Sequence, residues 1–461
     1  MTRASLWTCV ILIACVVGAL VPDYVSTIGD SPIKLMALPA AMLFAFLLAY
    51  SRTLLLLMLV FSRGATEVLF ESTRMSVGGM QIGVGGLING FAILIAVLLI
   101  LERPHLLSKP VVKVWAPLLA MAFFGTLMAP DRSTATRLFL QLLSECAVFV
   151  GAFYFVRSDH DYRTCIKLIL WSSLIPVAYG FIELATGGGH EYGAEGLRLR
   201  STFSHPNVLA FFLTLIISLT LYAAKSASFG FGAAKRGALL AYLPVLLVLL
   251  LLTKTRSAWG ACAVMFVGYG LLFERRYLAY MLVAAVVGLF IPGVGDRLLD
   301  AMQDTGSISS ATRLNSFAWR TSIWESGLGW MTPVHYVYGY GLEAFKYFAP
   351  TFFAESNGIN WGAHNVYVQV FFDLGLLGIL AFVWMYGQLL ARIRTVFAFD
   401  RLGALTTTFV IAEFLVVAGS DNLLDYLSFN WYLWFLFGAG LSYAALHASA
   451  GKPITEPYLA R

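Results

Sequence analysis

The stretch HNVYVQVFFDLGLLGILAFVWMYGQLL, residues 364–390, decides the fold. It carries one charged residue, Asp373, and is longer than the roughly 20 apolar residues a helix needs to cross a bilayer. It is therefore a membrane segment. It opens on Ala363-His364-Asn365, at the end of the longest polar interruption in the chain, roughly Gly293 to Gly362. Upstream of that interruption, apolar runs follow one another with short turns between them.

Those runs lie near 6–21, 33–50, 53–70, 80–101, 114–129, 138–156, 168–186, 207–224, 238–252, 257–273 and 277–292, and further ones follow at 403–420 and 427–447. Within 53–70 only Leu54–Phe61 is apolar before Arg63, Glu67 and Glu71, so 12 to 14 spans are expected. The composition agrees. The 461 residues are 59% hydrophobic and 12% charged, half the charge of an ordinary soluble protein. The expected fold is an all-α polytopic membrane bundle with one long loop carrying short amphipathic helices. Its parts are N-terminal membrane helices (1–186), a central membrane core (187–292), the long loop as a lid (293–363) and C-terminal membrane helices (364–461). Residues 1–21 have a basic start and an apolar middle but no small-x-small cleavage site, and read as a retained first helix.

A net charge of +6 raises the question of nucleic acid, but its distribution answers a different one. With a cytoplasmic N-terminus, the loops on that side hold 18 of the 31 basic residues. Of the other 13, four sit in the long loop, which the positive-inside bias does not govern. The surplus is a topology signal: both termini inside, the long loop outside, and no nucleic-acid partner. The five cysteines, at 9, 15, 146, 165 and 262, show no paired or C-x-x-C spacing, so neither a disulfide framework nor a metal site is expected. Gly83-Val84-Gly85-Gly86 begins a helix without a preceding strand and is no nucleotide loop.

Three outward segments carry candidate chemistry. In GGGHEYGAEGLRLRSTFSHP, residues 187–206, Arg198 and Arg200 run against the charge rule, and Ser204-His205-Pro206-Asn207 reads as a helix entry. Arg256 stands in the tight turn Thr253-Lys254-Thr255-Arg256-Ser257. Arginine presents a planar fork of donors suited to phosphate, though each of these can instead snorkel or pair with Glu191 or Glu195. In the long loop, Ala311–Leu328 is helical by period, with Leu314, Phe317, Ala318, Thr321, Trp324 and Leu328 on one face and Arg313 and Arg320 flanking it. The flexible turn Tyr338-Gly-Tyr340-Gly341 and a second amphipathic piece at Glu343–Phe352 follow. His364 heads the next membrane helix, with Asn365, Gln369 and Asp373 as a polar stripe beside it; an imidazole there can accept a hydroxyl proton or simply cap the helix. Glu145, Glu183, Glu413, Asp421 and Asp425 are acidic residues in or at spans, suited to relaying protons or to satisfying arginines and backbone groups.

Taken in order, these pieces resemble the bacterial O-antigen ligase and polysaccharide polymerase family. The matching motifs are Arg198-x-Arg-Ser-Thr-Phe-Ser-His-Pro-Asn207, Thr-Lys-Thr-Arg256-Ser-Ala-Trp-Gly, Arg313 with Trp319, Gly339-Tyr-Gly-Leu342, and Ala363 through Gly378. They cover about residues 195–390. Ser201 stands where the family commonly has glycine, and Asp373 where it often has glutamate. The resemblance implies a metal-independent, inverting glycosyltransferase of the bacterial inner membrane, working without a cofactor at the periplasmic face. It would move an undecaprenyl-diphosphate-linked oligosaccharide onto a glycan hydroxyl. It also implies Arg256 and Arg198, supported by Arg200, as the diphosphate clamp, His364 as the group that readies the acceptor, and Arg313, Asn365 and Tyr340 as further binding residues. Membrane lipids, a flippase and a chain-length regulator are the implied partners. A polymerase extending a lipid-linked glycan and a ligase serving the lipid A core both fit. A secondary transporter would instead need two related halves with midplane charges.

Overall fold

The computed structural model describes residues 42–72, 75–77, 80–191, 197–290 and 317–450. The run at 6–21 and Arg313 lie outside them. Among the described residues the chain is helical apart from two small antiparallel hairpins, β1 (Met75–Val77) with β2 (Met80–Ile82), and β3 (His190–Glu191) with β4 (Leu197–Arg198). The first half holds α1 (residues 42–50), α2 (Arg52–Arg63), α3 (Glu67–Ser72), α4 (Val84–Glu102), α5 (Lys109–Met128), α6 (Arg132–Phe155), α7 (Asp159–Ser172) and α8 (Leu174–Ala185). Then come α9 (Pro206–Lys225), α10 (Ala233–Leu252), α11 (Arg256–Leu272) and α12 (Arg276–Leu289). The lid helices are α13 (Phe317–Trp330), α14 (His335–Tyr338) and α15 (Ala344–Phe352), and α16 (Val366–Val396), α17 (Arg401–Val417) and α18 (Leu427–Ala450) complete the chain.

Seven of these are long and apolar enough to span a membrane: α4, α5, α6, the α7–α8 pair, α9, α10 and α16. The all-α polytopic architecture is thus the one observed. The helix boundaries follow local chemistry. Asp131 accepts from the Ser133 and Thr134 backbone at the start of α6, Asp400 from Gly403 in α17, and Asn365 from Tyr367 and Val368 in α16. Ser51 does the same for α2 and divides it from α1, which turns the third apolar run into a short helix ending at Arg63.

The centre of the bundle is α9, buried from Val208 to Ala224, and α18, whose Trp431, Tyr432, Leu433, Trp434 and Phe435 are almost wholly enclosed and which packs along α6. Burial on this scale is what makes α9 apolar on every side. The lid has its own core, in which Trp319, Ile323, Met331, Phe345 and Phe353 close on Phe372 of α16. The buried stripe of α13 is therefore Trp319, Ile323 and Gly327, not the expected Phe317–Leu328 face. The helix is covered from two directions, by α15 and by the segment before His364, and Trp324 Nε1 donates to Ala363 O at 2.5 Å.

The deciding stretch departs from a continuous helix in one place. Gly375 adopts φ 67°, ψ −164° and breaks α16. The freed carbonyls are met by the lid backbone: Tyr340 N donates to Phe372 O at 3.0 Å and Gly341 N to Asp373 O at 2.8 Å. Leu342 N reaches Gly125 O of α5 at 3.0 Å. A Cβ at Gly339 would overlap the backbone of Asp373–Leu374, and one at Gly375 that of Val337–Tyr338, so both positions require glycine. Residues 376–396 alone run about 31 Å, enough for a full span. The span expected at 364–390 falls almost wholly within Val366–Val396, and residues 366–374 form its first segment, against the lid.

Candidate active site at the lid face of the bundle

Four segments remote in sequence meet beneath the lid: 197–207, 253–256, 363–366 and 420–426. Asp421, 4% exposed, joins them. It accepts from Asn207 Nδ2 at 2.7 Å, from the Tyr426 hydroxyl at 2.8 Å and from Asn422 N at 2.9 Å. His364 Nδ1 stands 3.9 Å from its Oδ1, an ion-pair distance. Arg320 of α13 donates to the neighbouring Ser420 carbonyl at 2.5 Å. Burial pushes the Asp421 carboxyl upward, but His364, Arg320 and the Tyr426 hydroxyl outweigh it and hold the group below the usual carboxylate range.

Asn207 carries the connection onward. Its Oδ1 accepts from Arg198 Nη2 at 2.7 Å and from Thr255 Oγ1 at 3.2 Å. Arg198, 6% exposed, also donates through Nε to Thr253 O at 2.9 Å and through Nη2 to Thr255 Oγ1 at 3.0 Å. Its guanidinium thus shapes the turn that presents Arg256, the first residue of α11. The entry to α9 is fixed by His205, whose Nδ1 accepts from Asn207 N at 3.1 Å, with Pro206 at the first helical position. Arg200, two residues on from Arg198, is half-buried, and its side chain makes no hydrogen bond or ion pair among the described residues.

Backbone strain gathers at the same place. Five described non-glycine residues have positive φ, and three of them, Ser201 (54°), Lys254 (54°) and His364 (48°), stand in the converging segments. Such conformations cost about 1–3 kcal/mol each and persist where surroundings over-determine them. Ser201, the departure from the family's glycine, is held by donating its N–H to Glu183 Oε2 at 2.6 Å and its hydroxyl to Pro176 O at 2.5 Å.

The other expected site residues divide as follows. Asn365 is buried as the cap of α16, and its own N–H donates to Asn422 Oδ1 at 3.1 Å. Tyr340 lies away from this centre. Its ring stacks on His335 at 3.7 Å and packs against Trp330, Phe348 and Phe372, and its hydroxyl accepts from Thr332 N at 3.0 Å. Asp373 braces the lid by accepting from the Glu343 and Phe345 backbone at 3.0 and 2.8 Å. Sequence reasoning did not find Asp421 as the hub, nor Tyr426, Asn422 and Asn207 as its partners. The available signal was a pair of acidic residues between two apolar runs, with nothing to connect them to His364.

Fold and site together define a polytopic helical membrane protein with a charged, strained centre roofed by a helical lid. Residues 238–383 match a family model described as O-Antigen ligase, in agreement with the resemblance carried by the motifs. That segment takes in Arg256, the lid and His364, and leaves Arg198, Asn207 and Asp421 outside it. No curated protein matches the chain.

Proposed function

We propose that this protein is a membrane glycosyltransferase of the O-antigen ligase and polymerase type, moving a glycan from undecaprenyl diphosphate to the hydroxyl of another glycan at the periplasmic face of the inner membrane. The observation that carries the reading is the hydrogen-bonded network running from Arg198 and the Arg256 turn through Asn207 to Asp421, with His364 at ion-pair distance from its end. Guanidinium groups suited to a diphosphate and an imidazole suited to accepting a proton would both serve a reaction at such a network.

The chemistry follows from the geometry. His364 Nδ1 faces Asp421, which keeps that nitrogen protonated and leaves Nε2 to take the proton of the attacking hydroxyl. The hydroxyl oxygen bonds to the anomeric carbon from the side opposite the carrier, with inversion, and the anomeric C–O bond breaks. Its electron pair remains on the diphosphate oxygen, where Arg256 and Arg200 neutralise the growing charge. Asp421 stabilises the resulting imidazolium. Arg198 acts by position, since its donors are engaged by the Thr253–Thr255 turn and Asn207.

Of the two acceptor types, the lid favours polymerisation. Its described residues 317–363 include only two strong bases, and both are already paired, Arg320 with Ser420 O and Lys346 with Glu343 and Asp425. Among those described residues, little positive surface is left for a phosphorylated lipid A core. The family model's description as a ligase supports the second reading. Complementation of a deletion strain with His364→Ala, Arg256→Ala and Arg198→Ala, each checked for membrane expression, is expected to abolish full-length glycan. Normal polymer from all three would overturn the assignment. On a glycolipid gel of the deletion strain, single-repeat caps or lost polymer indicate a polymerase, and unligated long chains a ligase.

A further inference from the structure

Trp361, three residues before His364, is half-buried. Its indole N–H is turned inward, donating to Ser356 O at 3.3 Å. Its ring meets Trp319 edge-on at a centroid distance of 5.4 Å, and Trp319 lies 6.1 Å from the His364 imidazole. With the nitrogen satisfied from inside, the area that Trp361 leaves exposed is carbon. The next residue, Gly362, has no room for a Cβ beside the Asn422 amide, and Lys346 Cε would stand 3.3 Å from such an atom. Lys346 Nζ bridges Glu343 Oε2 at 3.1 Å and Asp425 Oδ2 at 2.9 Å. The Lys346 and Asp425 side chains keep 25% and 36% of their surface exposed. An indole surface and an exposed carboxylate–ammonium pair thus flank the segment that ends at His364.

We infer that Trp361, together with the Asp425–Lys346 pair, forms a binding subsite for a pyranose ring of the acceptor glycan, a reading that rests on His364 as the acceptor's proton-accepting group. A pyranose has an apolar face of C–H groups and a rim of hydroxyls. An aromatic ring takes the first as it takes other apolar surfaces, while a carboxylate accepts from hydroxyls and an ammonium donates to them. Charge separates this subsite from the diphosphate. Two carboxylates, Glu343 and Asp425, share one lysine here, whereas the arginines assigned to the diphosphate lie on the 198–200 and 256 segments. An uncharged sugar is the ligand that suits the Trp361 side.

The test uses full-length protein in nanodiscs and short oligosaccharides released by mild acid from the source cell's own surface polysaccharide. Binding is read by saturation-transfer NMR without any lipid-linked donor. Trp361→Ala is expected to weaken binding by about tenfold, the scale of a lost aromatic contact. Trp361→Phe should stay within about threefold of wild type, and Asp425→Asn should weaken binding several-fold. In transfer assays Trp361→Ala should raise the acceptor KM and leave the donor KM unchanged. Unaltered binding in both Trp361→Ala and Asp425→Asn, equal loss of donor and acceptor affinity, or no binding by wild type would overturn the inference. Each of the first two is what a tryptophan serving only as an interfacial anchor would give. If Trp361→Ala fails to fold, Trp361→Phe and Asp425→Asn decide. Wild type that binds glycan through Trp361 yet transfers nothing from a lipid diphosphate would refute the proposed function and leave the subsite standing.

Discussion

Asp421 and Ser201 show how single residues set the chemistry of this site. Asp421 is buried and yet charged, because four partners converge on it. Asp421→Asn keeps the shape but removes the charge that stabilises a protonated His364, and should lower kcat by about 10²-fold, the lower end of a general base's contribution. Its pH signature has a definite sign. A carboxyl held below its unfolded value of about 3.9 contributes stability above that pH, and the contribution is lost as pH falls through the folded value. The melting-temperature gap between wild type and Asp421→Asn in detergent should be present at pH 7 and close below about pH 4. A gap that widens on acidification would contradict the placement of the charge. Ser201 gives a second test. Ser201→Gly relieves the positive φ while its backbone N–H still serves Glu183, losing one hydroxyl bond worth about 1 kcal/mol, so its stability and activity should remain close to wild type. Ser201→Val, branched at a left-handed position, should lose both.

The elements themselves were largely legible from the chain. Apolar runs give the helices because hydrocarbon leaves the backbone no other partner, and the turn at Gly339–Gly341 was visible in its residues. The starts of α6 and α7 lie several residues ahead of the apolar runs, because Asp131 and Ser158 cap each helix outside its hydrophobic stretch. The break in α16 was not legible. Glycine is common in membrane helices, and what forces Gly375 out of the helix is the lid backbone arriving from a distant part of the sequence. Gly375→Ala should destabilise the protein by about 3 kcal/mol or more, combining φ strain with overlap, and should expose the lid to protease. Gly387 in the same helix has open space around it, so Gly387→Ala should be neutral or slightly stabilising.

At the scale of the whole molecule, the charge bias of the loops predicts that the lid lies outside the cell membrane. Single cysteines in a cysteine-free background test it. A membrane-impermeant maleimide should label position 355 in intact cells, and position 235 only after permeabilisation; the reverse would invert the topology and remove the site from the periplasm. The same scale explains what the sequence could not show of the site. Arg198, Asn207, Asp421 and His364 are brought together by the crossing of α9, α16 and the α17–α18 turn around a common core, and the links from Asp421 to Asn207 and to His364 span 214 and 57 residues. Local spacing marks Arg198 as an arginine in the wrong loop, but only the packed bundle shows its donors spent on a turn, with Arg200 left beside it.

One fastening between lid and bundle, Tyr340 and Gly341 onto Phe372 and Asp373, is made by amide and carbonyl groups of the main chain, with glycine on either side of the contact. Such a fastening does not depend on side-chain identity. Residues around this fastening can therefore diverge in sequence while its register stays constant. A chimera carrying a foreign roof should seat correctly provided the two glycines that meet there are kept.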